Sequence, residues 1–141
     1  MKIYFVTGNE NKFMEAKKII PSLEKLDIEL PEIQHIDPKI VIKEKLLEAL
    51  KQCDGEVVAE DTSLRMDCLN VLPGTFIKWF ESTIGNRGLY ELATRLENNK
   101  AEAVCMAGYA RSPDDMHFFE GCVNGRIVEP RGSSKDRKSV V

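Results

Sequence analysis

The four-residue apolar run Ile3 to Val6 is followed by the polar stretch Thr7-Gly8-Asn9-Glu10-Asn11-Lys12, and then by Phe13, Ala16, Ile19 and Ile20 at helical spacing as far as Pro21. Apolar residues three and four apart share a helix face, so this opening predicts strand, turn and helix. Leu26, Ile28 and Leu30 alternate with Asp27 and Glu29, which predicts a half-buried strand that Pro31 ends, leaving Glu32 at the strand end. Asp37-Pro38 offers an N-cap with proline at the first helical position, and Ile42, Leu46, Ala49, Leu50 and Cys53 mark one face of a helix running to Asp54-Gly55. A step of about 100° per residue puts Lys43, Glu44, Glu48 and Lys51 on the far side, with Lys45 beside Ala49 at the edge of the apolar face. Val57-Val58-Ala59 reads as a short strand buried on both faces, delivering Glu60-Asp61-Thr62-Ser63 at its carboxyl end.

Leu72-Pro73-Gly74 breaks the pattern. Phe76, Ile77, Trp79 and Phe80 then predict a short helix packed into a core, and Gly88 to Leu96 a second one with Leu89, Leu92, Ala93 and Leu96 on its inner face. Ala101 to Ala110 reads as a strand, Ser112 to Asp115 as a turn, His117 to Val123 as the hairpin partner, and Asn124-Gly125 as a tight turn into Arg126-Ile127-Val128. Strands alternating with helices early and an antiparallel hairpin late read as α/β. One domain over residues 1–132 accounts for all the periodic sequence; 133–141 has neither periodicity nor apolar anchors and is expected to be a disordered tail.

Composition narrows the function classes. The chain has 141 residues, 43% of them hydrophobic and 30% charged, the balance of a globular protein. Its formal net charge is −3, so an anion site has to be a local cluster, and coating of nucleic acid is disfavoured. The first apolar run is too short for a signal peptide, and none approaches the roughly 18 residues of a membrane helix; the expectation is a cytoplasmic protein without membrane or nucleic-acid partners. Cys53, Cys68, Cys105 and Cys122 form no CxxC pair, and only His35 and His117 are available to complete a zinc site, so reduced thiols are expected.

Thr7 to Lys12 has the parts of a phosphate cradle: a glycine admitting close approach, helix N-terminal amides and a lysine. Asn9 as a plain helix cap and Lys12 as a solvated side chain fit the same residues. Glu32, Glu60 and Asp61 fall after apolar strands, where α/β sheets bind ligands, and converging carboxylates there suit Mg²⁺ with substrate phosphates. Ordinary turn acids have the same pattern. Lys12, Lys45 and Lys78 are candidate anion clamps.

In combination, Thr7-Gly8-Asn9-Glu10-Asn11-Lys12, Leu30-Pro31-Glu32-Ile33-Gln34, Glu60-Asp61-Thr62-Ser63-Leu64, Leu72 to Phe80, Gly125-Arg126-Ile127 and Pro130-Arg131-Gly132 resemble the inosine triphosphate pyrophosphatase (Ham1) family. The resemblance implies an elongated central mixed sheet flanked by helices, two lobes with a cleft, and a homodimer. It implies Mg²⁺-dependent hydrolysis of ITP, dITP and XTP to the monophosphate and pyrophosphate. By motif, Thr7, Gly8, Asn9, Glu10, Asn11 and Lys12 would hold the triphosphate with Lys45 and Lys78. Glu32 would be a metal ligand, Asp61 a metal ligand or the base that activates water, Lys12 would also be catalytic, and Thr62 would meet the nucleotide.

The family pattern continues past Pro-Arg-Gly into an aromatic-Gly-aromatic-Asp-Pro motif, a lysine and a Ser-His-Arg motif, which together read the purine base. Nothing in Ser133 to Val141 matches these. The sequence therefore reads as a C-terminally shortened form with impaired hydrolysis and weakened base selectivity. The alternative is an inactive form that binds nucleotide or joins a full-length subunit.

Overall fold

A computed structural model describes residues 2–30 and 33–131. The metal ligand expected at Glu32 and the tail expected over 133–141 lie outside the described residues. Strand β1 (Ile3–Val6) leads through α1 (Glu10–Ile19) to β2 (Leu23–Leu26), and α2 (Pro38–Gln52) leads into β3 (Glu56–Met66). β1 lies between β2 and β3 and is parallel to both. After a 3-10 turn at Asp67–Leu69 come β4 (Pro73–Gly74), α3 (Ile77–Thr83), α4 (Gly85–Arg95), β5 (Lys100–Ser112) and β6 (Asp115–Arg126). The sheet runs β2-β1-β3-β5-β6, and β4 adds antiparallel to β3 with Leu64 opposite Gly74, so the sheet is mixed, as the family resemblance implies.

The chain divides into two compact units, one comprising the residues up to Asp61 with Met106–Glu120, the other Thr62–Cys105 with the residues from Gly121. In the first, β3 alternates its faces as any strand must. Val58 packs with Phe5, Phe13 and Leu23 under α1, whereas Val57 and Ala59 pack with Ile42, Leu46 and Ala49 of α2 and with Met106 and Ala110 of β5. Asp37 caps α2 by accepting from the Lys39 amide at 2.9 Å, with Pro38 in the first turn. In the second unit, Leu64 and Met66 of β3 meet Ile77, Leu89, Ala93, Ala101 and Ile127.

Four expectations are corrected. The strand expected over Leu26 to Leu30 is instead β2, ending at Leu26, because its register with β1 (Ile3 opposite Leu23, Val6 opposite Leu26) exhausts β1 there. β3 does not stop at Ala59; β4 pairs with it at Leu64 and Arg65 and β5 is its neighbour, so Glu60 to Ser63 lie inside the strand. Asn124-Gly125 is no turn but part of β6, and the pairing continues as the Ile127 amide donates to the Asn99 carbonyl at 2.7 Å. Trp79 is not core: it is 52% exposed, while Ile77, two residues earlier, is buried. No disulfide joins any of the four cysteines.

Candidate active site

The topology marks a place for a ligand before any side chain is considered. From β1 the chain moves through α1 to β2 on one side, while β3 lies on the other, with α1 and α2 packed on opposite faces. In open α/β sheets a crevice forms at the carboxyl ends of strands where the strand order reverses. Here that place is the carboxyl end of β1. Val6 is opposite Ala59, so the chain leaves the sheet at Thr7 one position beyond that pair, beside Glu60.

The turn that leaves the sheet is built by its own side chains. The Asn9 amide donates to Thr7 Oγ1 at 3.0 Å, and Asn9 Oδ1 accepts from the Lys12 amide at 3.2 Å as the N-cap of α1. Capping therefore uses Asn9, as one sequence reading holds, and leaves the other first-turn amides at the positive end of the helix dipole. A Cβ at Gly8 would meet nothing within 4 Å. Packing against the described residues thus does not demand glycine there, and the space over the backbone is open to a ligand. Glu10, in the first turn, pairs with Lys25 of β2 at 2.8 Å; this hydrogen bond is the main cause that holds the Lys25 ammonium above its ordinary pKa. Asn11 is exposed.

Lys12 is not simply solvated. Its Nζ lies 2.7 Å from Glu60 Oε1, with the two side chains 34% and 13% exposed. Asp61 is half-buried on β3, with Oδ2 sealed from solvent, and strand alternation turns it to the face opposite Glu60. Val57 and Ala59 share that face and pack on α2. Lys45 is half-buried on α2 immediately before the fully buried Leu46, the core-edge position its sequence phase predicts. Thr62 is half-buried on β3 in the second unit. Lys78, also of that unit, is exposed near the start of α3 with its Nζ 5.6 Å from the Trp79 ring centroid. Sequence pattern gives no sign of the Lys12–Glu60 pair, because the partners are 48 residues apart and meet only through the β1–β3 register.

The residues fit a hard divalent cation. Magnesium is commonly held by one or two carboxylates, its shell completed by water and substrate phosphates. Asp61 could offer one such carboxylate, with an oxygen withdrawn from bulk water. Among the described residues no group of three or more His, Cys, Asp or Glu forms an all-protein site, and Mg²⁺ bound through phosphates does not require one.

Comparison with known proteins agrees with this architecture. The model of the Ham1 family matches residues 3–136. An inosine triphosphate pyrophosphatase of Schizosaccharomyces pombe is 39% identical over 136 residues, covering 94% of this chain and 72% of that protein. One from Aspergillus oryzae is 43% identical over 136 residues, covering 94% and 71%. Among solved structures, the Ham1 protein of Staphylococcus aureus superposes with a TM-score of 0.77 at 21% identity, covering 99% of this chain and 80% of that one. A nucleoside-triphosphatase, a dITP/XTP pyrophosphatase of Mycobacterium abscessus, does so equally well at 21% identity, covering 99% and 82%. At that identity the structural likeness speaks for the fold.

Proposed function

This chain belongs to the Ham1 family, and from that premise we propose that it is a nucleoside triphosphate pyrophosphatase, hydrolysing ITP, dITP and XTP to the monophosphate and pyrophosphate with Mg²⁺. The observation that carries the reading is the juxtaposition, at the carboxyl end of β1, of an open glycine-bearing helix N-terminus and the Lys12–Glu60 pair, with Asp61 the next residue along β3.

Water attacks the α-phosphorus, the bond from it to the α–β bridging oxygen breaks, and pyrophosphate leaves. This transfer needs positioning and charge neutralisation more than covalent help from the protein. The first-turn amides of α1 and the Lys12 ammonium meet the charge of the polyphosphate. Lys45 adds a second cation from α2, and Thr62 and Lys78 are assigned nucleotide and phosphate contacts by the family resemblance. Asp61, with Glu32, would hold the metal, which when bound supplies Lewis-acid neutralisation of phosphate oxygens. In the other role that the resemblance allows, the Asp61 carboxylate takes the proton of the attacking water instead of holding the metal. The same reading makes the protein a homodimer acting in the cytoplasm; no helix among the described residues is long and apolar enough to cross a membrane.

The test is pyrophosphate release from ITP, XTP, GTP and ATP, with Mg²⁺ and with chelator, beside an Asp61→Asn control. Metal-dependent release that vanishes in the control is expected. Release that is indifferent to metal or to Asp61 would overturn the assignment.

A further inference from the structure

The hydrolytic scheme uses Lys12 and Asp61 but gives no task to Glu60, whose carboxylate holds Lys12. The contact is a charge-assisted hydrogen bond at 2.7 Å, and Glu60 is the more buried partner, 13% exposed against 34%. The two ends are unequally anchored. Glu60 sits in β3 directly after the residue paired with β1, so the sheet fixes its backbone, whereas the lysine ammonium ends a flexible four-carbon stem. The carboxylate is thus a fixed post and the ammonium the movable part.

We propose that Glu60 is a positioning residue that parks the Lys12 ammonium at the mouth of the anion cradle and masks its charge until a polyphosphate displaces the carboxylate. This rests on the reading of Thr7–Lys12 as that cradle. An ammonium has three N–H donors, so it passes to a phosphate oxygen without leaving the region. The exchange has two consequences. Lys12 is ordered before substrate arrives, which lowers the entropy lost on binding. An anion too weakly charged to compete with a neighbouring carboxylate does not capture the lysine, so the pair discriminates polyphosphate from singly charged anions.

The experiment is calorimetric titration of the full chain with inorganic tripolyphosphate in chelator, on the parent, Glu60→Gln, Glu60→Asp, Lys12→Ala and the Glu60→Gln/Lys12→Ala double variant, each checked for native circular dichroism. Glutamine keeps an acceptor oxygen for Lys12 but removes the competing charge. Affinity is expected to rise about fivefold or more in Glu60→Gln, fivefold being the least that one unit charge about 4 Å away produces, at the dielectric of bulk water, and to stay at or below the parent in Glu60→Asp. In the Lys12→Ala background the same Glu60→Gln change is expected to give a clearly smaller gain, a coupling that a double-mutant cycle reads directly.

Equal gains with and without Lys12 would show that Glu60 only repels the anion, and would overturn the proposal. So would an unchanged or weakened Glu60→Gln while Lys12→Ala still loses affinity, an outcome that leaves the cradle itself standing. Unchanged binding in Lys12→Ala would instead remove the cradle reading, and the masking proposal with it. A damaged fold does not bind more tightly, so the expected gain separates positioning from a merely structural role.

Discussion

Lys12 and Asp61 lie on neighbouring elements, α1 and β3, and single changes there test the chemistry with little risk to the core. Neither is fully buried, and Asp61→Asn is nearly isosteric. Each of Lys12→Ala and Asp61→Asn is expected to reduce pyrophosphate release from ITP by about a hundredfold or more, the range lost with a general base or a charge-stabilising group, while the thermal midpoint moves little. A variant that retained parent turnover would remove its residue from the site. The thiols give a second residue-scale expectation. Burial, and then the neighbouring acids Asp54 and Asp67, push Cys53 and Cys68 above the ordinary thiol pKa, whereas Cys105 and Cys122 are exposed. A raised pKa means less thiolate at a given pH, and the thiolate is the nucleophile. Iodoacetamide at pH 8 should therefore modify Cys105 and Cys122 first, as peptide mass spectrometry would show; equal rates would contradict the burial. The sign also fixes the effect on stability. Above the ordinary thiol pKa the unfolded chain ionises before the folded one, so Cys53 and Cys68 make stability fall as pH rises there. Residue types at this scale were legible in the sequence, since Asn9 caps α1 and Lys45 sits at a core edge. The partner of Lys12 and the exposure of Trp79 were not, because both depend on which element lies opposite.

Elements were legible where local periodicity decides them and illegible where a neighbour does. α2 and its Asp37-Pro38 start follow from capping chemistry and one apolar face. β3, by contrast, carries the polar segment Glu60-Asp61-Thr62-Ser63 as strand because β4 and β5 supply hydrogen-bonding partners beyond the end of β1, information that no window of β3 contains. The same neighbour effect shortens β2 and removes the expected turn at Asn124-Gly125. Packing of α2 on β5 makes a sharp prediction. A Cβ at Gly108 would lie 2.4 Å from Ile42 Cγ2 and 2.8 Å from Leu46 Cδ1, and both those side chains are completely buried. The Ile42 atom is a branch on its own Cβ and has little freedom to swing aside in a helix, so the helix itself must shift. Gly108→Ala is expected to destabilise by about 1–3 kcal/mol, the usual cost of overfilling a packed core. It should read as a lower urea midpoint with an unchanged slope; an unaltered midpoint would mean that α2 does not rest on β5 as described.

At the scale of the whole molecule each compact unit has its own core; Thr7 to Lys12, Lys45 and Asp61 belong to the first, Thr62 and Lys78 to the second. Family motifs assign both groups to one nucleotide, but strand register brings together only the start of α1 and the Glu60-Asp61 segment of β3. A ligand decides between the two assignments, because any molecule that binds only the folded state suppresses the openings that expose the amides it engages. An ITP analogue with the α–β bridging oxygen replaced by a methylene group cannot release pyrophosphate, so with Mg²⁺ it holds the site in its bound form. Hydrogen–deuterium exchange is then expected to slow at the start of α1 and along β3 from Glu60 to Thr62, and, where Lys78 meets phosphate, also at the start of α3. The net charge of −3 sharpens the contrast, since no global field draws a polyanion and protection must follow the local cations. Protection at α1 and β3 without α3 would strike Lys78 from the phosphate site. Protection at neither α1 nor β3 would remove the carboxyl end of β1 as the binding site altogether.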